Sequence, residues 1–346
     1  MTDAPKPDTP KISGKDRRPP MFPAPEFPPR QPKLFARTPP AIFPSILGLL
    51  GLGLAARSGV GALGLQPSVL GGLVEAALGA LLILWAFALL AIKVKLARRP
   101  SVLIDDLKAL PGRSGMAACT MSGMAAASVL VPYAPELAFW LGVAALLAHA
   151  SLAGVLIATL ARLAPEARNV SPVFHLAFVG FIVGAVPLAQ LGYQTAAMGI
   201  FWATLPIAVV IWAISLRQLL QGSPPAPLRP FLAIHLAPAA LLSLVAGLIG
   251  QPVLALIFAG VGAVIFLALL AAARWIVASG FSPLWGAFTF PLAAFANALI
   301  SLGDTWEFPG LAVLVLALGV IPPIAWNVLK LWPGNRLSAK TNAAEA

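Results

Sequence analysis

The chain has 346 residues, of which 59% are hydrophobic and only 10% charged. A soluble domain carries roughly 25% charged residues, so a water-exposed surface around most of this chain is excluded and lipid must take its place. The 23 Lys and Arg exceed the 12 Asp and Glu, giving +11; in so apolar a chain such an excess marks cytoplasmic loops, and no nucleic-acid partner is expected.

Residues 1–38 hold ten prolines and eight basic residues, Lys6, Lys11, Lys15, Arg17, Arg18, Arg30, Lys33 and Arg37. They are expected to form a disordered cytoplasmic tail that touches anionic headgroups, and they lack the apolar stretch of a secretory signal. Apolar runs then predict ten transmembrane helices near 40–58, 69–92, 114–131, 135–160, 172–190, 196–218, 229–247, 252–273, 280–301 and 308–332. The third is short and rich in Gly, Ala, Ser and Met, which suits close packing among other helices. Its Cys119 is the chain's single cysteine; an intramolecular disulfide is excluded, and the thiol reads as a packing group. Residues 333–346 are expected as a short cytoplasmic tail.

Charge tests this count. With ten spans, 22 of the 23 basic residues fall on the side that holds both termini, and only Arg57 falls opposite, beside Glu75, Glu136, Asp304 and Glu307. Both termini are therefore expected in the cytoplasm, with the chain in a bacterial inner membrane.

A repeat runs through the odd-numbered spans. Pro230 precedes Pro238 by eight residues, and Pro283 precedes Pro291 by eight; Pro40 with Gly48 and Pro172 with Gly180 follow with glycine in second place. Pro or Gly inside a span loosens the helix and needs compensation from its neighbours. Kinks are expected at Pro44, Gly180, Pro187, Pro238 and Pro291. Alternate kinked helices predict five helical hairpins, the odd helices enclosing a pore and the even ones facing lipid; residues 78–92 and 253–271 are apolar almost without interruption.

Three segments resemble a known family: Pro40-Ala-Ile-Phe-Pro-Ser-Ile-Leu-Gly48, Ile234-His-Leu-Ala-Pro238 and Trp285-Gly-Ala-Phe-Thr-Phe-Pro-Leu292. In that order they resemble the tellurite-resistance/dicarboxylate transporter family, whose members include bacterial TehA, the slow-type anion channels of plant guard cells and fungal malate transporters. The resemblance covers about residues 39–332. It implies an all-α fold of ten helices as five hairpins in quasi-fivefold array, a homotrimer, and passage of small inorganic or carboxylate anions. It also implies a pore-occluding phenylalanine in the ninth helix, at Phe290 or alternatively Phe288. The long basic tail departs from the short bacterial form.

The remaining chemistry is sparse. No Lys, Arg, Asp or Glu sits at the middle of a predicted span, which argues against a carboxylate proton relay and against a buried arginine binding an anion tightly. His149 reads as a packing residue. His175 and His235 lie at comparable depth in odd helices, either at the pore mouth or in packing contacts. Neither has a Cys, Asp or Glu at ligand spacing, so no metal and no cofactor is expected. Without paired carboxylates or an activated nucleophile, no enzyme is expected. Two transport readings remain, a gated anion channel and a proton-coupled carrier of dicarboxylates.

Overall fold

A computed structural model describes residues 33–346 of the chain, and most of the tail expected at 1–38 lies outside the described residues. Among the described residues there are helices and no strand. Ten helices carry the fold: α1 (Pro40–Ala62), α2 (Val69–Arg98), α3 (Leu110–Leu130), α4 (Pro135–Ala161), α5 (His175–Gln190), α6 (Gln194–Gln221), α7 (Ala226–Leu248), α8 (Pro252–Ala271), α9 (Pro283–Leu302) and α10 (Asp304–Leu329). Eight of them are long and apolar enough to cross a membrane; α3 and α5 are not. The difference from the ten predicted spans has a physical reason. Seventeen residues of α3 are buried, among them Gly115, Ser122, Gly123 and Met124. A helix enclosed by protein meets no lipid and can be built from small and weakly polar residues. α5 is interrupted: a π turn over His175–Val179 runs into Gly180 before regular helix resumes at Ile182–Gln190.

Burial separates odd from even helices. In the most apolar stretch of each candidate span, 61% of α1, 83% of α7 and 72% of α9 is buried, against 22–39% in the even helices. Large apolar side chains left exposed sit on the even helices, for example Ile83, Leu147, Val210, Val264 and Val315. Each even helix packs against the odd helix before it and the odd helix after it, α10 closing back onto α1. The odd helices in turn contact one another in the cycle α1, α3, α5, α7, α9, α1. Four of the five odd-to-even turns carry a glycine at positive φ, Gly64, Gly192, Gly250 and Gly303, a region that side chains with a Cβ rarely enter.

The repeated prolines find a specific place. In α7 a 3-10 segment, Ala226–His235, gives way to α-helix at Leu236; in α9 the segment Pro283–Phe288 gives way at Thr289. Pro238 and Pro291 are each the third residue of the α segment, inside the first turn, where a missing N–H breaks no α-helical bond. Pro44 is likewise the second residue of the α segment of α1, behind a 3-10 turn at Pro40–Ile42. A change of winding thus absorbs these prolines. Pro187 is different, because it lies inside Ile182–Gln190 and removes one bond of that short helix.

The C-terminal residues, expected as a tail, pack onto the body. Leu337 is fully buried in the short helix Arg336–Thr341. The Ala344 N–H donates to Asp106 Oδ1 at 2.8 Å, and the Ala346 N–H donates to the Ala36 carbonyl at 3.0 Å. Beneath them Lys95 Nζ donates to Asp106 Oδ2 at 2.7 Å and to the Thr38 carbonyl at 3.0 Å, with both charged side chains essentially unexposed. Burial pushes the Asp106 carboxyl up, against the pull of the Lys95 ammonium.

Candidate functional site

The five odd helices, in cyclic contact, converge on one small cavity, here called the mouth. Pro44 of α1, Pro111 and Ser114 of α3, Leu176 of α5, Ile234 of α7 and Ala287 of α9 line a space of about 20 Å³. Every odd helix contributes, each from its N-terminal part. Deeper, Met121 of α3, His175 and Gly180 of α5, and Pro238 and Leu241 of α7 border a void of about 10 Å³. A water needs about 10–15 Å³ of such space. Each void therefore holds about one water, too little for a hydrated anion.

On the α1–α9 side the two helices approach closely. Thr289 Oγ1 donates to the Gly286 carbonyl at 2.7 Å and lies 3.0 Å from the Pro44 carbonyl. A Cβ placed on Gly48 would overlap Thr289, and one on Gly51 would stand 3.1 Å from Cδ2 of Phe290. The two glycines of α1 thus make room for the Thr289-Phe290 pair. The Phe290 ring is 6% exposed and rests over Gly51.

The other aromatics of α9 point elsewhere. Phe288 stacks edge-on against Trp285, with centroids 5.8 Å apart, and lines a groove of about 310 Å³ together with Pro291, Phe266 of α8 and Leu316 and Val320 of α10. That groove opens toward the even helices. Phe295 packs on Phe266 at 5.3 Å and fills the space over Gly262 of α8. Pro187 faces Gly142 of α4. Of the expected kink residues, Pro44 lines the mouth, Gly180 and Pro238 line the deeper void, and Pro187 and Pro291 border neither.

The histidines are brought together in a way their spacing did not reveal. His175 Nε2 and His235 Nδ1 lie 3.0 Å apart, joining α5 to α7 by a hydrogen bond whose donor depends on the tautomer. Both are buried, and the Trp212 indole N–H of α6 donates to the His235 carbonyl at 3.2 Å. The mouth is lined by their chain neighbours, Leu176 and Ile234, and not by the imidazoles. Successive helical residues point about 100° apart, so rings that meet between two helices leave the axis to the residues beside them. His149 in α4 is bonded to Thr120 Oγ1 at 2.6 Å and stacks edge-on against Phe181, a packing role across α3, α4 and α5. Among the described residues no group of three or more His, Cys, Asp or Glu is placed to hold a metal.

Charges are kept off the axis. At the mouth end, Lys95 is held by Asp106, and the Arg113 guanidinium donates to the Leu107 and Lys108 carbonyls at 2.7 and 3.2 Å. Both of these basic residues are buried in local bonds. At the opposite end Arg57 Nε donates to Glu75 Oε1 at 2.7 Å, and its Nη2 donates to Glu75 Oε2. The Tyr133 hydroxyl donates to the same Oε2 at 2.8 Å, and that bond holds its phenol above the ordinary range. The cluster ties α1 and α2 to the end of α3, where the Val129 carbonyl also accepts from Arg57.

No curated protein matches the chain. The profile of the voltage-dependent anion channel family, SLAC1, matches residues 37–331, the segment that runs from just before α1 to just beyond α10. It is the family whose likeness is carried by the segments around Pro40, Pro238 and Pro291. The chain is a multi-pass membrane protein of the voltage-dependent anion channel (SLAC1, tellurite-resistance/dicarboxylate transporter) family.

Proposed function

We propose that the chain is a gated path for small anions along the axis enclosed by α1, α3, α5, α7 and α9, with Phe290 as its gate. All ten helices cross the membrane as five hairpins in quasi-fivefold array, both termini lie in the cytoplasm of a bacterial cell, and three copies assemble. The observation that carries this reading is the mouth. All five odd helices present their N-terminal parts to one cavity, and a helix N-terminus carries roughly half a positive charge. Five such ends attract an anion without the desolvation cost of a buried Lys or Arg, and they bind it weakly enough to release it. The residues around the axis are apolar or small, so a narrow path dewets when a ring fills it. Phe290 is supported as that ring by its seat over Gly51, between α1 and α9; Phe288 lines a groove toward the even helices and fits the role less well.

The test is current through purified protein in a planar bilayer under anion replacement. Reversal potentials should follow chloride, nitrate or a short carboxylate; potentials that follow potassium would overturn the reading. One observation favours a second reading, a proton-coupled carrier of dicarboxylates: His175 borders the deeper void and is hydrogen-bonded to His235. Liposome flux of a dicarboxylate that is driven by a pH gradient would select the carrier, and flux indifferent to the gradient the channel. Tellurite resistance, the family's label, is a cellular outcome to be scored separately by growth on tellurite.

A further inference from the structure

Away from the axis, the face between α6, α7 and α8 carries a groove of about 670 Å³. Its walls are apolar, built by Trp212 and Leu216 of α6, Leu232 of α7, and Ile265 and Leu269 of α8. Two polar residues also line it, Ser215 and His235. Ser215 Oγ and His235 Nε2 have no hydrogen-bond partner in the protein, and their residues are 5% and 9% exposed. A buried polar atom left unpaired is destabilising, and a hydrocarbon tail offers it nothing. Two such atoms in one groove call for a ligand with acceptors embedded in an apolar body.

The rim supplies the rest. Arg229 lies over the Trp275 ring at 4.2 Å and donates to the Trp275 carbonyl at 3.1 Å. Arg274 precedes that tryptophan, and Arg217 stands one turn beyond Ala213, itself a wall residue. Between residues 167 and 303 the sequence contains no Asp or Glu, so no carboxylate of these helices neutralises the rim. Along α8 and the residue that follows it the groove runs from Val261 to Ala272. At 1.5 Å per residue this is roughly 16 Å, which matches one half of a hydrocarbon core about 30 Å thick.

We propose that this groove is a binding site for one anionic phospholipid. An acyl chain lies along α8, an ester carbonyl accepts from Ser215 Oγ and His235 Nε2, and the phosphate meets Arg217, Arg229 and Arg274. His235 Nδ1 is already engaged by His175, so with His175 as donor the Nε2 of His235 carries the proton and is a donor without a partner in the protein. The lipid thereby holds the α7 side of that pair.

The experiment uses the purified, delipidated full chain in detergent. Native mass spectrometry and thermal unfolding are read with dioleoyl phosphatidylglycerol, dioleoyl phosphatidylcholine and inorganic phosphate. Phosphatidylglycerol should remain bound and raise the unfolding temperature, while phosphatidylcholine and phosphate do neither. Arg274→Gln should lower the preference for the anionic lipid about fivefold, the worth of one basic residue near an anionic surface. Ala268→Phe, which fills the groove, should abolish binding; should that variant not fold, the wild-type lipid comparison and Arg274→Gln decide. Equal binding of both lipids, or a shift reproduced by phosphate alone, would overturn the proposal. So would efficient cross-linking of Leu219→Cys to a second copy in native membranes, because the groove would then be covered by protein.

Discussion

Phe290→Ala separates a gate from a packing residue. The ring is 6% exposed, so its removal should carry close to the full core cost of about 3–5 kcal/mol. A residue on an open pore wall would cost less. Truncation also leaves room for roughly three waters at about 30 Å³ each, against about one apiece in the two axial voids, neither of which Phe290 itself lines. If the ring is the plug, that space joins the voids, the axis hydrates, and anion conductance in a planar bilayer rises strongly. Phe295→Ala is the matched control. Phe295 is 1% exposed and packs outward on Phe266, so its loss should cost a similar amount of stability, read by thermal unfolding in detergent, with no gain in current. The reasoning fails if Phe290→Ala stays folded, loses the expected stability and conducts as the wild type does. It fails equally if Phe295→Ala opens the path as well, because leakage would then follow from loosening alone.

Further outcomes follow from the same contacts. Gly51→Ala places a methyl 3.1 Å from Phe290 Cδ2 and 3.3 Å from Ala293 Cβ; overpacking should cost about 1–3 kcal/mol and push the ring aside, giving a current between wild type and Phe290→Ala. An unchanged current would place the ring's seat elsewhere. Lys95→Met strands Asp106 in a buried site and should cost about 3–5 kcal/mol. Adding Asp106→Asn should recover much of that loss in thermal unfolding, and a double variant no better than the single one would refute the pairing argument. Reporter fusions after Ala346 and near Gly303 should fall in opposite compartments; the same compartment for both would rule out ten crossings.

What the sequence by itself determined was the solvent of each segment. Composition and apolar runs predicted ten spans, and eight of those helices are long and apolar enough to cross lipid, because a lipid-facing residue must be apolar whatever its neighbours do. The family was legible in the Pro40, Pro238 and Pro291 segments, where local backbone geometry demands particular residues. The weak apolarity of α3 read correctly as enclosure, since its Gly, Ala and Ser could only be answered by other helices. Tertiary structure alone decided which side chains meet. His175 and His235 are 60 positions apart, and nothing in their spacing shows that their rings touch. The same holds for Lys95 and Asp106 under the C-terminal residues, and for Gly51 beneath Phe290. Phe288 and Phe290 are equivalent in composition, and only helix phase against α1, α8 and α10 turns one to a seat on α1 and the other to a groove toward lipid. Pattern reports the medium around a residue, whereas a site is set by pairs distant in the chain, and those pairs exist only once the helices have packed.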